Sequence, residues 1–117
     1  MAEFNVDLRP VGSVSVIDVK GYLDAHTAPE LENVFNKLLD EKRFKVVVNF
    51  DELKYISSAG LGVFMAYVET MRENKGDIKF SNMKENVYNI FDLLGFPILY
   101  EFFKDEREAL QKFDTLG

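Results

Sequence analysis

The sequence predicts an α/β domain whose mixed sheet opens with an antiparallel hairpin and continues by helix–strand alternation, with about four helices. Three observations carry this. Phe4, Val6 and Leu8 alternate with Asn5, Asp7 and Arg9, the two-residue period of a half-buried strand. Leu31, Val34, Phe35, Leu38 and Leu39 recur at helical spacing, and Val46 to Phe50 is an apolar run of strand length, as in a strand covered on both faces. Such an order implies parallel strands joined by right-handed crossovers, with only the first strand antiparallel.

Taken in order, Pro10-Val11-Gly12 is a turn signal, and alternation resumes from Ser13 to Val19 to complete the hairpin. Gly21 to His26 is expected as the loop that leaves the second strand. Thr27 with Glu30 forms a capping-box pattern and Pro29 fits the first helical turn. The charged run Asp40 to Arg43 ends that helix. A motif helix is expected from Ser58 to about Asn74, with Leu61, Phe64, Met65, Val68 and Met71 on its apolar face and Gly76 as a left-handed stop. Ile78 and Phe80 mark a short strand, and Ser81 or Asn82 opens a third helix bearing Val87, Ile90, Phe91 and Leu94, closed by Gly95. Phe96 to Tyr100 reads as a last strand. Asp105 to about Leu116 reads as a final helix, with Asp105 and Glu108 as a box-like start. With no repeat, linker or low-complexity segment, residues 1–117 are expected to form one domain.

Composition narrows the chemistry. The chain has 117 residues with 47% apolar character and eleven phenylalanines, enough for a core without staples. It has no Cys and one His, His26, which excludes disulfides, thiol nucleophiles and Cys or His-rich metal sites; no metal or cofactor is expected. A net charge of −6 argues against a nucleic-acid surface. The first ten residues lack a signal-peptide layout, and the uncharged stretch Ile56 to Val68 is too short to span a bilayer. Together these features predict a cytoplasmic protein with no membrane partner.

The densest local signal is Ser57-Ser58-Ala59-Gly60-Leu61-Gly62, a small, uncharged turn between an apolar strand and a helix. The first N–H groups of a helix lack internal acceptors and carry the positive end of its dipole, so the turn tolerates an anion. Ser57 or Ser58 could cap the helix, and either could accept a phosphoryl group. Plain capping is the ordinary reading of the serines; two glycines in a first helical turn each cost about 1 kcal/mol and call for close approach of a strand or a partner, which tilts the balance toward a functional turn. With the strands parallel, Asp24, Ser57, Ser58, Ser81 and Asn82 fall on one sheet edge, where α/β folds bind ligands and partners. Asp24 is either a turn former or a charge for a partner's basic patch.

Competing chemistries fail on pattern. Gly60-Leu61-Gly62 lacks the third Gly of a dinucleotide fingerprint, since position 65 is Met, and no Gly-Lys-Ser/Thr occurs. A hydrolase would need a base near Ser58, and His26 lacks an identifiable orienting carboxylate.

Gly21-Tyr22-Leu23-Asp24-Ala25-His26-Thr27-Ala28, Val46-Val47-Val48-Asn49-Phe50 and Tyr55-Ile56-Ser57-Ser58-Ala59-Gly60-Leu61-Gly62-Val63 together resemble the STAS-domain anti-sigma-factor antagonists of bacteria, over almost the whole chain. The resemblance implies a STAS-like fold and a regulatory binding module, not an enzyme. Unphosphorylated, such an antagonist binds an anti-sigma factor that is also a serine kinase, freeing a sigma factor; phosphorylation by that kinase with ATP ends binding, and a PP2C-type phosphatase restores it. The family pattern Asp-Ser-Ser/Thr-Gly-Leu-Gly, aligned on Gly60-Leu61-Gly62, implies Ser58 as acceptor. Ser57 stands where the family has Asp and is the second choice. The implied partner surface comprises Asp24, Ser57, Ser58, Ala59, Gly60, Leu61 and Gly62, with the exposed side of the motif helix. The alternative is a non-switching STAS subunit of a transporter or stress-sensing assembly.

Overall fold

A computed structural model describes residues 3–95 and 100–114. The elements are β1 (Phe4–Val11), β2 (Val14–Leu23), α1 (Ala28–Asp40), β3 (Lys45–Asn49), β4 (Leu53–Ile56), α2 (Ser58–Glu73), β5 (Asp77–Ser81), α3 (Glu85–Leu93), β6 (Phe102–Phe103) and α4 (Glu106–Asp114). The sheet runs β1-β2-β3-β5-β6, and β4 pairs with the far end of β2. Among the described strands only β1 is antiparallel, opposite β2 from Phe4↔Gly21 to Val11↔Val14. The other pairings are parallel, so the expected mixed sheet stands.

Alternation along the strands divides the core between the two sheet faces. Ile17, Val19, Val46, Val48, Ile78 and Phe80 point to one face, where α1, α2 and α3 cover them with Leu31, Phe35, Phe64, Met71, Val87 and Phe91. Val14, Val16 and Val47 point to the other, under Ala109 and Phe113 of α4. Val46 to Val48 is therefore covered on both sides, as its unbroken apolar run requires. Phe80 and Phe50 lie at the centre of the first face: their ring centroids are 5.1 Å apart at 85°, and Phe64 and Phe91 meet both rings edge-on. Edge-to-face pairs bring positive ring edges to negative ring faces, each worth about 1 kcal/mol beyond burial.

On the second face one lysine is fully covered. Lys79 is 1% exposed, and its ammonium meets Asp77 Oδ2 at 3.1 Å, the Glu101 carboxylate and the Phe113 ring at 4.8 Å. The charge is thus compensated where its stem packs under α4. At the other end of α4, Glu106 accepts from Arg9 Nη2 at 2.6 Å and Asn49 Nδ2 at 3.0 Å. The Arg9 hydrogen bond, assisted by Asn49, holds the Glu106 carboxyl below the usual carboxylate range.

Several boundaries depart from expectation for identifiable reasons. Strand β2 does not end at Val19; it continues to Leu23, so Gly21 to Leu23 is strand and not loop. Strand β4 was unexpected: its buried residues, Leu53 and Ile56, are three apart, because the register with β2 shifts between Gly21 and Tyr22. The resulting bulge breaks the two-residue period. Gly21, at φ +88°, accommodates it, and a Cβ there would sit 2.0 Å from the Glu3 carbonyl oxygen. Gly76 is not the left-handed stop of α2. Lys75 is, at φ 67°, while Gly76 is required because a Cβ would lie 1.8 Å from the Phe44 carbonyl oxygen.

Helix α3 starts after Lys84, later than Ser81 or Asn82; Asn82 instead turns the chain at φ 58°. Gly95, at φ +77°, does close α3, donating to the Asp92 carbonyl at 3.0 Å. Asp105 caps α4 as expected, its Oδ1 accepting from the Glu108 N–H at 2.9 Å. Of the strand expected over Phe96 to Tyr100, residues 96–99 lie outside the described residues; Tyr100 is not in a strand, and the described last strand is β6.

Two measurements follow from this packing. Gly76→Ala should lower unfolding free energy by more than about 2 kcal/mol in urea, because its clash is with backbone that cannot turn aside. The depressed Glu106 carboxyl contributes stability above the unfolded glutamate pKa of about 4.3 and loses it as pH falls through the lower folded value. Glu106→Gln should therefore flatten the decline in melting temperature below about pH 4.3.

Candidate functional site

The parallel arrangement of β2 and β4 sets the ends of both strands side by side. Register pairs Tyr22 with Tyr55 and Leu23 with Ile56. The Ser57 N–H then donates to the Leu23 carbonyl at 2.9 Å, joining the start of α2 to the chain that enters the Asp24 turn. Asp24 and the Ser57–Ser58 turn thus share one edge of the sheet.

The two serines have different surroundings. Ser57 is the N-cap of α2: its backbone is extended, at φ −99° and ψ 171°, and its Oγ accepts from the Gly60 N–H at 3.4 Å. Ser58 is the first helical residue and is exposed. With Ser57 serving as cap, the Ser58 hydroxyl is not committed to closing the helix. The first turn of α2 contains no acidic residue, and Tyr55 to Val68 carries no charge at all. A dianion at Ser58 would meet the positive end of a 16-residue helix and no carboxylate of its own turn.

The glycines of the turn solve separate problems. Gly60 is buried, and a Cβ would lie 2.7 Å from Leu23 Cγ and 3.1 Å from the Leu23 carbonyl oxygen, so this glycine lets α2 close onto the end of β2. Gly62 is exposed, with nothing within 4 Å of where a Cβ would stand. The fold does not need a glycine there, and the open position leaves the helix backbone accessible from outside.

Of the residues assigned to a partner surface, Asp24, Ser57, Ser58, Ala59 and Gly62 retain exposure. Gly60 and Leu61 do not: Leu61 is 1% exposed and belongs to the core. Asp24 also has a structural task. Its Oδ1 accepts from the His26 and Thr27 N–H groups at 2.9 and 3.1 Å. The Thr27 hydroxyl accepts from the Asp24 N–H at 3.0 Å and donates to the Tyr22 carbonyl at 2.9 Å. Thr27 consequently makes no cap hydrogen bond to α1, and the expected capping box is replaced by this closed turn. His26 is exposed on the same loop.

Three exposed side chains beside the turn were not expected. Tyr22 and Tyr55 are 39% and 44% exposed, with ring centroids 6.1 Å apart. Recognising the β4 bulge would have found them, because it turns Tyr55 to the same side as Tyr22. Met65, assigned to the apolar face of α2, is 51% exposed. The buried arc contains Phe64 and Met71, and Met65 lies about 100° around the helix from Phe64.

Ser57→Ala should cost about 1 kcal/mol of stability by removing the cap. Alanine at the two glycines should act with opposite sign: destabilising at Gly60, where a methyl group strikes Leu23, and stabilising by up to about 1 kcal/mol at Gly62. Chemical denaturation of the three variants tests this division. Equal effects at both glycines would contradict the separate roles.

Residues 5–109 match the model of the STAS domain family. An anti-sigma-B factor antagonist of Staphylococcus epidermidis is 32% identical over 79 residues, covering 68% of this chain and 73% of the relative. An anti-sigma factor antagonist from Mycobacterium paratuberculosis shares the fold with a TM-score of 0.87 at 20% identity, over 96% and 95% of the two chains. So does SpoIIAA, a Bacillus cell fate determinant, in its unphosphorylated form (TM-score 0.83, 19% identity, 95% and 97% covered). Its phosphorylated form aligns with a TM-score of 0.73 at 19% identity, over 92% and 98%. Given the matched length and the identity to a curated relative, the chain belongs to the STAS domain family.

Proposed function

We propose that this chain is an anti-sigma-factor antagonist: a cytoplasmic binding module, switched by phosphorylation at Ser58, with no catalysis of its own. In the unphosphorylated state, the surface around Asp24, Ser57 to Ala59, Gly62 and the exposed side of α2 binds an anti-sigma factor that is also a serine kinase, releasing a sigma factor. The kinase transfers the γ-phosphoryl group of ATP to Ser58 Oγ, ADP leaves, and the hydroxyl proton passes to a base on the kinase. A PP2C-type phosphatase hydrolyses the ester and regenerates the hydroxyl.

One observation carries this reading: Ser58 is exposed at the first position of α2 while Ser57 performs the capping. A phosphoryl group adds about −1.5 to −2 charges at neutral pH. At a helix N-terminus the domain tolerates that charge, so its cost falls on a partner packed against a small, neutral turn. The staphylococcal relative is an anti-sigma-B factor antagonist and SpoIIAA an anti-sigma factor antagonist, which supports the antagonist role; the structures of SpoIIAA in both phosphorylation states support the switch.

Incubation with an anti-sigma factor serine kinase and ATP should place phosphate on Ser58, as located by mass spectrometry. Ser58→Ala should bind that kinase constitutively, and Ser58→Asp should bind it at least about tenfold more weakly while melting near wild type. An unfolded Ser58→Asp, or one that binds as wild type does, contradicts the mechanism. Absence of phosphate incorporation favours a non-switching STAS subunit.

A further inference from the structure

At the edge of the sheet opposite Ser58, the ends of α1 and α2 meet the start of β3 and the β1–β2 turn. Between them lies a recess of about 370 Å³ whose lining includes Ser13, Glu41, Lys42, Arg43, Lys45 and Lys75. Its charge runs against that of the molecule, since the chain carries a net −6. Among the described residues no ion pair neutralises Lys42, Arg43, Lys45 or Lys75. Arg43 is instead held by neutral oxygens: Nε donates to Ser15 Oγ at 2.7 Å, and Nη2 donates to the Gly12 and Val14 carbonyls.

A second feature is independent of charge. Both helices close by the same pair of bonds. The Arg43 N–H donates to Leu38 O and the Lys42 N–H to Leu39 O; in α2, Gly76 donates to Met71 O and Lys75 to Arg72 O. In this closure the residue after the cap is left-handed and is usually glycine, because a Cβ is disfavoured there. Here both positions are lysine, at φ 58° for Lys42 and 67° for Lys75. Glycine would close each helix with less strain, so the fold itself does not call for lysine at either place.

Cations near helix C-termini are ordinarily explained by the dipole. That accounts for part of the charge: two helix ends contribute roughly half a negative charge each and Glu41 a full one, leaving roughly two positive charges in the recess. We propose that this recess binds the phosphate group of a small soluble molecule. A compact dianion matches the residual charge, and the Ser13 hydroxyl supplies a neutral donor at its rim. This site lies on the other side of the domain from Ser58 and does not depend on the switch.

The test is a ¹H–¹⁵N NMR titration of the full chain with inorganic phosphate at slightly alkaline pH and low ionic strength, beside sodium chloride at matched ionic strength. Saturable shifts should centre on the amides of Ser13, Lys42 to Lys45 and Lys75. The Lys42→Gly/Lys75→Gly variant should bind at least about tenfold more weakly while melting at or above the wild-type temperature, which separates lost binding from lost folding. Shifts that sodium chloride reproduces, shifts centred on the Ser57 to Gly60 amides, or a double variant that binds as wild type does would each overturn the proposal.

Discussion

The fold's functional edge depends on one junction, where the first turn of α2 closes onto the last residue of β2. The Ser57 N–H to Leu23 carbonyl bond aligns the two chains, and the absent side chain of Gly60 allows the approach. Parallel pairing of β2 with β4 puts the Asp24 and Ser58 turns on one edge, and these two features bring them into close register. The bulge between β2 and β4 belongs to the same construction, because it lets Leu23, Leu53 and Ile56 all enter the core while both tyrosines face outward.

That junction is backed by a stiff interior. Phe50, Phe64, Phe80 and Phe91 pack edge-to-face directly behind the motif helix, and interiors at this density resist small displacements. A charge added at Ser58 therefore has little route inward. It sits at the favourable end of the α2 dipole, on the exposed first turn of that helix. Under the proposed switch, regulation would come from what the surface presents and would leave the packing as it was.

Much of this was legible in the sequence where local pattern and tertiary context agree. The hairpin, the doubly covered β3 and the Asp105 cap follow from alternation, an unbroken apolar run and a capping signature. Ser58 at a helix start was legible for the same reason. What escaped was set by contacts distant in the chain. Leu53 and Ile56 break the strand period because β4 carries an extra residue, Lys54, where it pairs with β2. Gly76 imitates a helix stop but answers to Phe44, thirty-odd residues earlier. Thr27 and Glu30 match a capping box, yet Asp24 and Thr27 spend their side chains on each other's turn. Leu61 was assigned to a partner surface because its motif lies there, although its side chain faces the core.

On the proposed switch, modification alters the docking surface while the scaffold stays still. Backbone amide spectra recorded before and after stoichiometric phosphorylation of Ser58 test it most directly. Shifts should be confined to the Leu23 to Ala28 and Ile56 to Gly62 segments, with the amides of Phe64, Phe80 and Phe91 unmoved. Shifts that spread through those phenylalanines, or a loss of dispersion across the sheet, would contradict it.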